Sequence, residues 1–109
     1  MIGSNEGRPC DIIETAECWS EALTTSSAPS VLSLSRQGLP CLRTKHTEEN
    51  LSAKGGYVLA GAKGKRDVTL IASGSEVSTT MEARDQLKAE GVSAAVVSMP
   101  CFDLFESQD

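Results

Sequence analysis

Aromatic residues, histidine and clustered positive charge are all scarce in this sequence, and each shortage narrows what the protein can be. Only four aromatic side chains occur in 109 residues, namely Trp19, Tyr57, Phe102 and Phe105. The core must therefore rely on aliphatic side chains, as the interior of an α/β sheet does. The formal net charge is −5, which argues against a nucleic-acid partner because phosphate backbones are held mainly by clustered Lys and Arg.

The sequence also lacks the spacing of a metal site, a signal peptide and a long apolar run. Its four cysteines form no CxxC pair, and His46 is the only histidine, so a zinc site is not expected. No apolar stretch approaches the length of a membrane span. Reduced thiols in a cytoplasmic protein that contacts no membrane are the simplest interpretation. The short basic cluster of Lys63, Lys65 and Arg66 is interpreted as a solvated loop.

The first half of the chain predicts a helix followed by a short strand. Residues 1–7 are polar and show no periodicity. Asp11 and Glu14 fit a capping box at a helix start. Apolar residues then recur with helical spacing and predict one buried face: Ile12, Ile13, Ala16, Trp19, Ala22 and Leu23. Residues 30–34 predict a strand, and residues 41–54 a surface linker with a short helix.

The second half predicts a βαβ unit. Residues 57–60 and 68–72 are expected to be strands, the latter covered on both faces. A helix from the turn at residues 73–76 to about Glu90 ends at Gly91 in a left-handed cap. Residues 94–99 form the next strand, and a further helix begins after Pro100. A strand, a helix and a strand over this length imply a parallel pair with a right-handed crossover. The fold class is therefore α/β.

Four stretches resemble the transketolase family, in the same order and at the same spacing. The first consists of Arg8, Pro9, Cys10 and Asp11 with Glu14, Thr15 and Trp19. The second is residues 32–40 (LSLSRQGLP), the most specific of the four, and the third is residues 55–59 (GGYVL). The fourth runs from residues 70–77 through residues 96–102 to Phe105, Gln108 and Asp109. Residues 1–7 depart from the family, which has an apolar strand there.

The resemblance implies an incomplete α/β chain with two parts. Residues 1–51 would be the end of the pyrimidine-binding domain, and residues 52–109 the start of a Rossmann-like C-terminal domain. Transketolases transfer a two-carbon ketol unit from a ketose phosphate to an aldose phosphate in the pentose phosphate pathway. They use thiamine diphosphate and a divalent metal (Mg²⁺ or Ca²⁺), and they are homodimers. The family's cofactor and catalytic residues lie in stretches missing here, so this chain alone is expected to bind no cofactor and to be inactive.

By the same resemblance, Arg36 is the site residue and binds the phosphate of the sugar substrate. Its planar guanidinium suits a phosphate group, and a strand end is where α/β ligand sites gather. We interpret the other polar groups structurally. Arg8 is expected to pair with Asp11 or Glu14, His46 to lie in a solvated loop, and residues 73–76 to cap a helix. Cys10, Cys18 and Cys101 are expected to be buried, and Cys41 to lie near the Arg36 loop without activation.

Three alternatives to a transketolase stay open at this point. A dihydroxyacetone synthase shares these motifs and differs in its acceptor sugar, which this part of the chain does not determine. A truncated, non-catalytic product would retain at most a binding role. A split enzyme is disfavoured, because a cut inside a domain would expose a broken sheet and a large apolar patch.

Overall fold

The computed structural model describes residues 5–108, which form five strands, three α-helices and one 3₁₀ helix. The strands are β1 (Asn5–Gly7), β2 (Ser30–Leu32), β3 (Tyr57–Ala60), β4 (Val68–Ala72) and β5 (Ala94–Ser98). The helices are α1 (Ile12–Thr24), α2 (Glu76–Ala89) and α3 (Phe102–Glu106), with the 3₁₀ helix at Leu51–Lys54. The α/β class is confirmed. None of the helices in this part of the chain is long and apolar enough to cross a membrane.

The first sheet is a parallel pair, β1 and β2, and helix α1 lies between these two strands in the sequence. Strand β1 covers three residues of the polar start in which the sequence predicted no element, so that prediction is wrong for residues 5–7 and residues 1–4 lie outside the described part. The polar strand is held by backbone bonds: Asn5 N–H donates to Pro29 O (2.9 Å), and Ser33 N–H donates to Gly7 O (2.8 Å). Strand β2 ends at Leu32, two residues earlier than predicted.

The second sheet has the order β3-β5-β4, with β4 and β5 parallel and β3 antiparallel to β5. The predicted βαβ unit and the predicted strand at residues 57–60 are confirmed, and only the antiparallel pairing of that strand with β5 was not predicted. Gly91 has the expected left-handed conformation (φ +83°) after α2. The central strand β5 and helix α2 contribute the core of this sheet, in which Val77, Ala95 and Val96 are fully buried.

Two apolar faces that the sequence predicted to be buried are open in this chain. On α1 the residues Ile12 (72% exposed), Trp19 and Leu23 face outward, and the buried side chains are Glu14 and Cys18. The helical period was right but the buried face was wrong, because polar contacts hold the opposite side of the helix. On β4, Ile71 is 63% exposed, so this strand is covered by α2 on one face only.

Candidate functional site

Arg36 lies on an exposed loop that leaves the carboxyl end of β2. The loop, residues 34–41, contains no regular secondary structure, and the Arg36 side chain is exposed. Within residues 5–108 its guanidinium takes part in no ion pair. The only side-chain hydrogen bond inside the loop next to it joins Gln37 N–H to Ser35 Oγ (3.0 Å). The guanidinium is therefore free to bind a ligand as far as the described residues are concerned.

Both ends of this loop are tied to other residues of the first region of the fold, defined as residues 5–54, with residues 55–108 as the second region. At its start, Ser33 N–H donates to Gly7 O and continues the β1–β2 ladder (2.8 Å). At its end, the backbone N–H groups of Leu42 (3.1 Å) and Arg43 (2.9 Å) both donate to Oδ2 of Asp11. Because Asp11 is 5% exposed, these are buried charge-assisted bonds, which are stronger than neutral ones.

Asp11 also begins helix α1. Its Oδ1 accepts from Glu14 N–H (2.8 Å), which is the predicted N-cap bond. The reciprocal half of the predicted capping box differs, because Glu14 Oε1 accepts from the N–H of Cys10 rather than that of Asp11 (2.9 Å). One carboxylate oxygen of Asp11 thus caps the helix, and the other binds the end of the Arg36 loop.

Glu14 is a fully buried carboxylate that joins the two regions of the chain. Its Oε2 accepts from Tyr57 Oη–H on β3 (2.6 Å) and from Ser98 Oγ–H on β5. Burial and the adjacent Glu14 charge raise the pKa of the Tyr57 hydroxyl well above its usual range. Tyr57 therefore stays protonated and remains a donor to this carboxylate.

A buried ion pair between Arg43 and Glu17 fixes the linker that follows the loop. The side chains are 5% and 12% exposed. The Arg43 guanidinium donates to Glu17 Oε1 and to Thr47 Oγ1, and it lies over the Tyr57 ring at 5.3 Å from the centroid. Such a fork combined with stacking suits arginine and not lysine.

A polar cavity of about 310 Å³ borders the start of the Arg36 loop. It lies between the residues that follow β1, those that follow β2 and the turn before α2. Its lining residues are Arg8, Pro9, Ser33, Leu34, Ser35, Ser73, Gly74, Ser75 and Glu76. Arg8 pairs with Glu6 (3.1 Å) and not with Asp11 or Glu14, so its predicted partners were wrong. Ser75 makes no side-chain cap bond to α2, which corrects the capping prediction for residues 73–76.

The remaining sequence candidates lie apart from this loop or act structurally. His46 is exposed in the linker, as predicted, and so are Lys63, Lys65 and Arg66 in the β3–β4 loop. The neighbouring Lys63 lowers the pKa of Lys88 on α2.

The cysteines follow the prediction, since Cys10, Cys18 and Cys101 are buried and Cys41 is exposed. Burial, with a smaller contribution from Glu14, raises the pKa of the Cys18 thiol to about 12. Within residues 5–108, no three His, Cys, Asp or Glu side chains converge in a way that could hold a metal ion.

Comparison with known proteins now identifies the family. The family model described as a transketolase-like C-terminal domain matches residues 55–109. The chain belongs to the transketolase family. A Rhodobacter capsulatus transketolase is 58% identical over 102 residues, which cover 94% of this chain and 15% of that protein. The chain thus spans about 15% of the length of the transketolases it matches.

Solved transketolases have the same fold over nearly all of this chain. The Pichia stipitis transketolase in complex with sedoheptulose 7-phosphate superposes with a TM-score of 0.87 at 36% identity, over 98% of this chain and 15% of that one. A split-gene transketolase, described as an inactive β4 tetramer, gives a TM-score of 0.78 at 27% identity, over 93% of this chain and 32% of that one. The division of this transketolase chain into domains at residues 51 and 52 stays a prediction.

Sequence reasoning missed the residues that hold the loop and the linker. Asp11 was interpreted as a helix cap and as a partner for Arg8, and Glu17 and Arg43 were not singled out. A signal for the polar side of α1 was nevertheless present, because Asp11, Glu14, Cys18 and Glu21 recur with helical spacing. Acidic residues at such positions ordinarily predict a solvated face, and only the tertiary contacts show that this face is buried.

Proposed function

We propose that the natural protein carrying this chain is an active transketolase. It would transfer a two-carbon ketol unit from a ketose phosphate to an aldose phosphate in the pentose phosphate pathway, with Arg36 binding the phosphate of the sugar. The observation that carries this role is the exposed Arg36 guanidinium on a loop tethered at both ends. The Pichia stipitis relative, solved with sedoheptulose 7-phosphate, supports a phosphorylated sugar as the substrate class.

The chemistry of arginine fits this role at any working pH. A guanidinium remains charged and presents parallel N–H donors that match two phosphate oxygens. Hydrogen bonds to charged groups contribute about 1.5–3 kcal/mol each. Losing such a contact should therefore weaken the binding of a phosphorylated substrate by roughly 10- to 100-fold, since 1.4 kcal/mol corresponds to a factor of ten in affinity. The reacting carbon lies elsewhere on the sugar, so Arg36 would bind and orient the substrate without moving a proton.

Thiamine diphosphate and a divalent metal (Mg²⁺ or Ca²⁺) belong to this proposal as groups bound by other parts of a homodimeric protein. Residues 5–108 do not fit a metal ion, because no three suitable side chains converge there. No chemical step is therefore assigned to these residues. The bound cofactor would supply the carbanion chemistry. The isolated chain would be inactive and the natural protein cytoplasmic. The split-gene relative, described as inactive, is consistent with the first of these statements.

The test replaces Arg36 by alanine in the natural full-length protein. The KM for a ketose phosphate should rise about 10- to 100-fold, while turnover of an unphosphorylated ketose at saturation should stay close to that of the parent. Arg66→Ala is the matched control, because Arg66 is also an exposed loop arginine but lies in the β3–β4 loop. An equal loss for both substrate classes would refute the phosphate-binding role.

The mass of the native protein tests the wider proposal. An antibody raised against residues 55–59 and their flanks would capture the protein from source cells for intact-mass measurement. A species several times heavier than 11.5 kDa is expected for a protein of the length of its relatives. A species of 11.5 kDa would contradict an active transketolase and favour the non-catalytic product.

A further inference from the structure

Asp11 links the start of helix α1 to the end of the Arg36 loop through a single buried side chain. Its Oδ1 accepts from Glu14 N–H, and its Oδ2 accepts from the N–H groups of Leu42 and Arg43. No other side chain in residues 5–108 accepts a hydrogen bond from those two backbone groups. Helix capping uses one oxygen only, so the second oxygen serves the loop.

The loop has little else to hold it in place. Its residues 34–41 are exposed except for a half-buried Leu39. Exposed segments with few internal bonds are the parts of a protein that open most easily. Ser33 is fixed at the start through the sheet bond to Gly7, and the end is fixed at Asp11. The position of the Arg36 backbone is therefore set by two anchors, of which only the second depends on a side chain.

The second anchor continues into a rigid structure. Arg43, whose backbone N–H donates to Asp11, also forms the buried ion pair with Glu17 on the same helix. The segment leaving the loop is thus attached to α1 at two successive points. The N–H groups of Leu42 and Arg43 bind the helix start, and the Arg43 side chain binds about 1.7 turns further along. A loop end fixed in this way keeps a ligand-binding side chain within the small tolerance that binding sites require.

We propose that Asp11 is a positioning residue for phosphate binding, holding the Arg36 loop in the conformation that meets the sugar phosphate. This inference rests on the proposed phosphate-binding role of Arg36. Asp11 touches neither substrate nor cofactor in this account. It acts only through the backbone of Leu42 and Arg43, and its effect should appear in substrate binding and not in the chemical step.

The deciding variant is Asp11→Ser in the natural full-length protein. Serine is as good an N-cap as aspartate, so helix α1 keeps its cap, but its single hydroxyl oxygen cannot also reach the two N–H groups at the loop end. We expect the KM for a ketose phosphate to rise about fivefold, since a small misplacement of a positioning group already weakens its effect. The kcat and the KM for an unphosphorylated ketose should remain unchanged. Asp11→Asn, which keeps one acceptor oxygen for the helix, provides a second variant with the same expected pattern.

A double-variant cycle with Arg36→Ala shows whether Asp11 acts through Arg36. In the Arg36→Ala background, Asp11→Ser should produce no further rise in the KM for the phosphorylated substrate, because coupled residues are not additive. A rise of the same size in both backgrounds would overturn the inference. So would an equal loss on both substrate classes that follows a fall in melting temperature, since that pattern belongs to a purely structural residue.

The cycle also separates this inference from the proposed function. If Arg36→Ala shows phosphate selectivity and Asp11→Ser does not, only the positioning role fails. If Arg36→Ala itself shows no selectivity, the phosphate-binding role fails, and the positioning role fails with it. Arg66→Ala serves again as the control for a lost surface charge.

Discussion

The two regions of this chain are held together by different kinds of interaction. In residues 5–54 the buried side chains include four that are charged or polar, namely Asp11, Glu14, Arg43 and Ser52, beside the cysteines Cys10 and Cys18. In residues 55–108 the buried side chains are largely aliphatic, and they include Val77, Ala95, Val96 and Met99. The first region contains the candidate site, and the second contains the larger sheet.

The difference shows how a loop-rich segment can be ordered with little apolar surface. Burying charged groups is costly unless each one is paired. Within residues 5–108, no buried side-chain nitrogen or oxygen lacks a hydrogen-bond partner. The carboxylates of Asp11, Glu14 and Glu17 each accept several bonds and replace the strand ladder that the linker lacks. Because each buried carboxylate needs its particular donors, removing one partner should cause a large loss of stability in this region.

The largest effect should come from Glu14→Ala. The substitution leaves Cys10 N–H, Tyr57 Oη–H and Ser98 Oγ–H without their acceptor, so the local stability of α1 should fall by about 4 kcal/mol. Val77→Ala is the counterpart in the second region, equally buried but apolar, with an expected cost of about 2 kcal/mol. Native-state hydrogen exchange of the natural protein would measure both, in α1 and in α2 respectively. Equal costs would remove the contrast between the regions.

A smaller effect is expected at Gly55, where the two regions meet. Gly55 has φ +81°, and an added Cβ would overlap the backbone of Cys101 and Phe105. Gly91 has nearly the same φ, +83°, but open space around it. Gly91→Ala should therefore cost about 1 kcal/mol from conformation alone, and Gly55→Ala about 3 kcal/mol because crowding is added. Thermal unfolding of the two variants provides the comparison. Equal midpoints would mean that the chain relaxes around position 55 without cost.

The smallest effect is a loss of stability at mildly alkaline pH that originates in the first region. Burial raises the pKa of the Cys18 thiol to about 12, above its value in the unfolded chain of about 8.5. A raised pKa means that the folded state keeps the proton longer, so the stabilising contribution is complete below pH 8 and declines as the pH rises through the unfolded pKa towards the folded one. Between pH 8 and pH 9 this thiol should account for about 0.7 kcal/mol of lost stability.

Urea unfolding at the two pH values, with Cys18→Ala beside the parent, would isolate that contribution. The parent should lose more stability than the variant over this interval. A variant with the same pH dependence as the parent would show that the Cys18 thiol does not carry the effect.

The sequence was a better guide to the second region than to the first. The strands β4 and β5 and the helix α2 could be predicted because aliphatic runs and Gly91 mark them directly. Strand β1 could not be predicted, because Asn5, Glu6 and Gly7 carry no apolar pattern and the strand depends on backbone bonds to β2.

The candidate site divides in the same way. Arg36 was predicted through its motif and stays a prediction, whereas the second contact of Asp11 joins residues that are 31 and 32 positions apart. No local pattern reports such a contact. The exposed faces of α1 and β4 were also missed, because periodicity shows that a face is apolar but not what covers it.

The long sequence separation between Glu14 and its partners determines the order in which the two regions can be completed during synthesis. Its carboxylate meets Tyr57, 43 positions later, and Ser98, 84 positions later. At roughly 5–20 residues per second on the ribosome, the last of these partners is made about 4–17 s after Glu14 itself. The unit of β4, α2 and β5 needs only nearby segments and can form as soon as it emerges. Of the two regions, the one that carries the Arg36 loop is therefore made first and completed last.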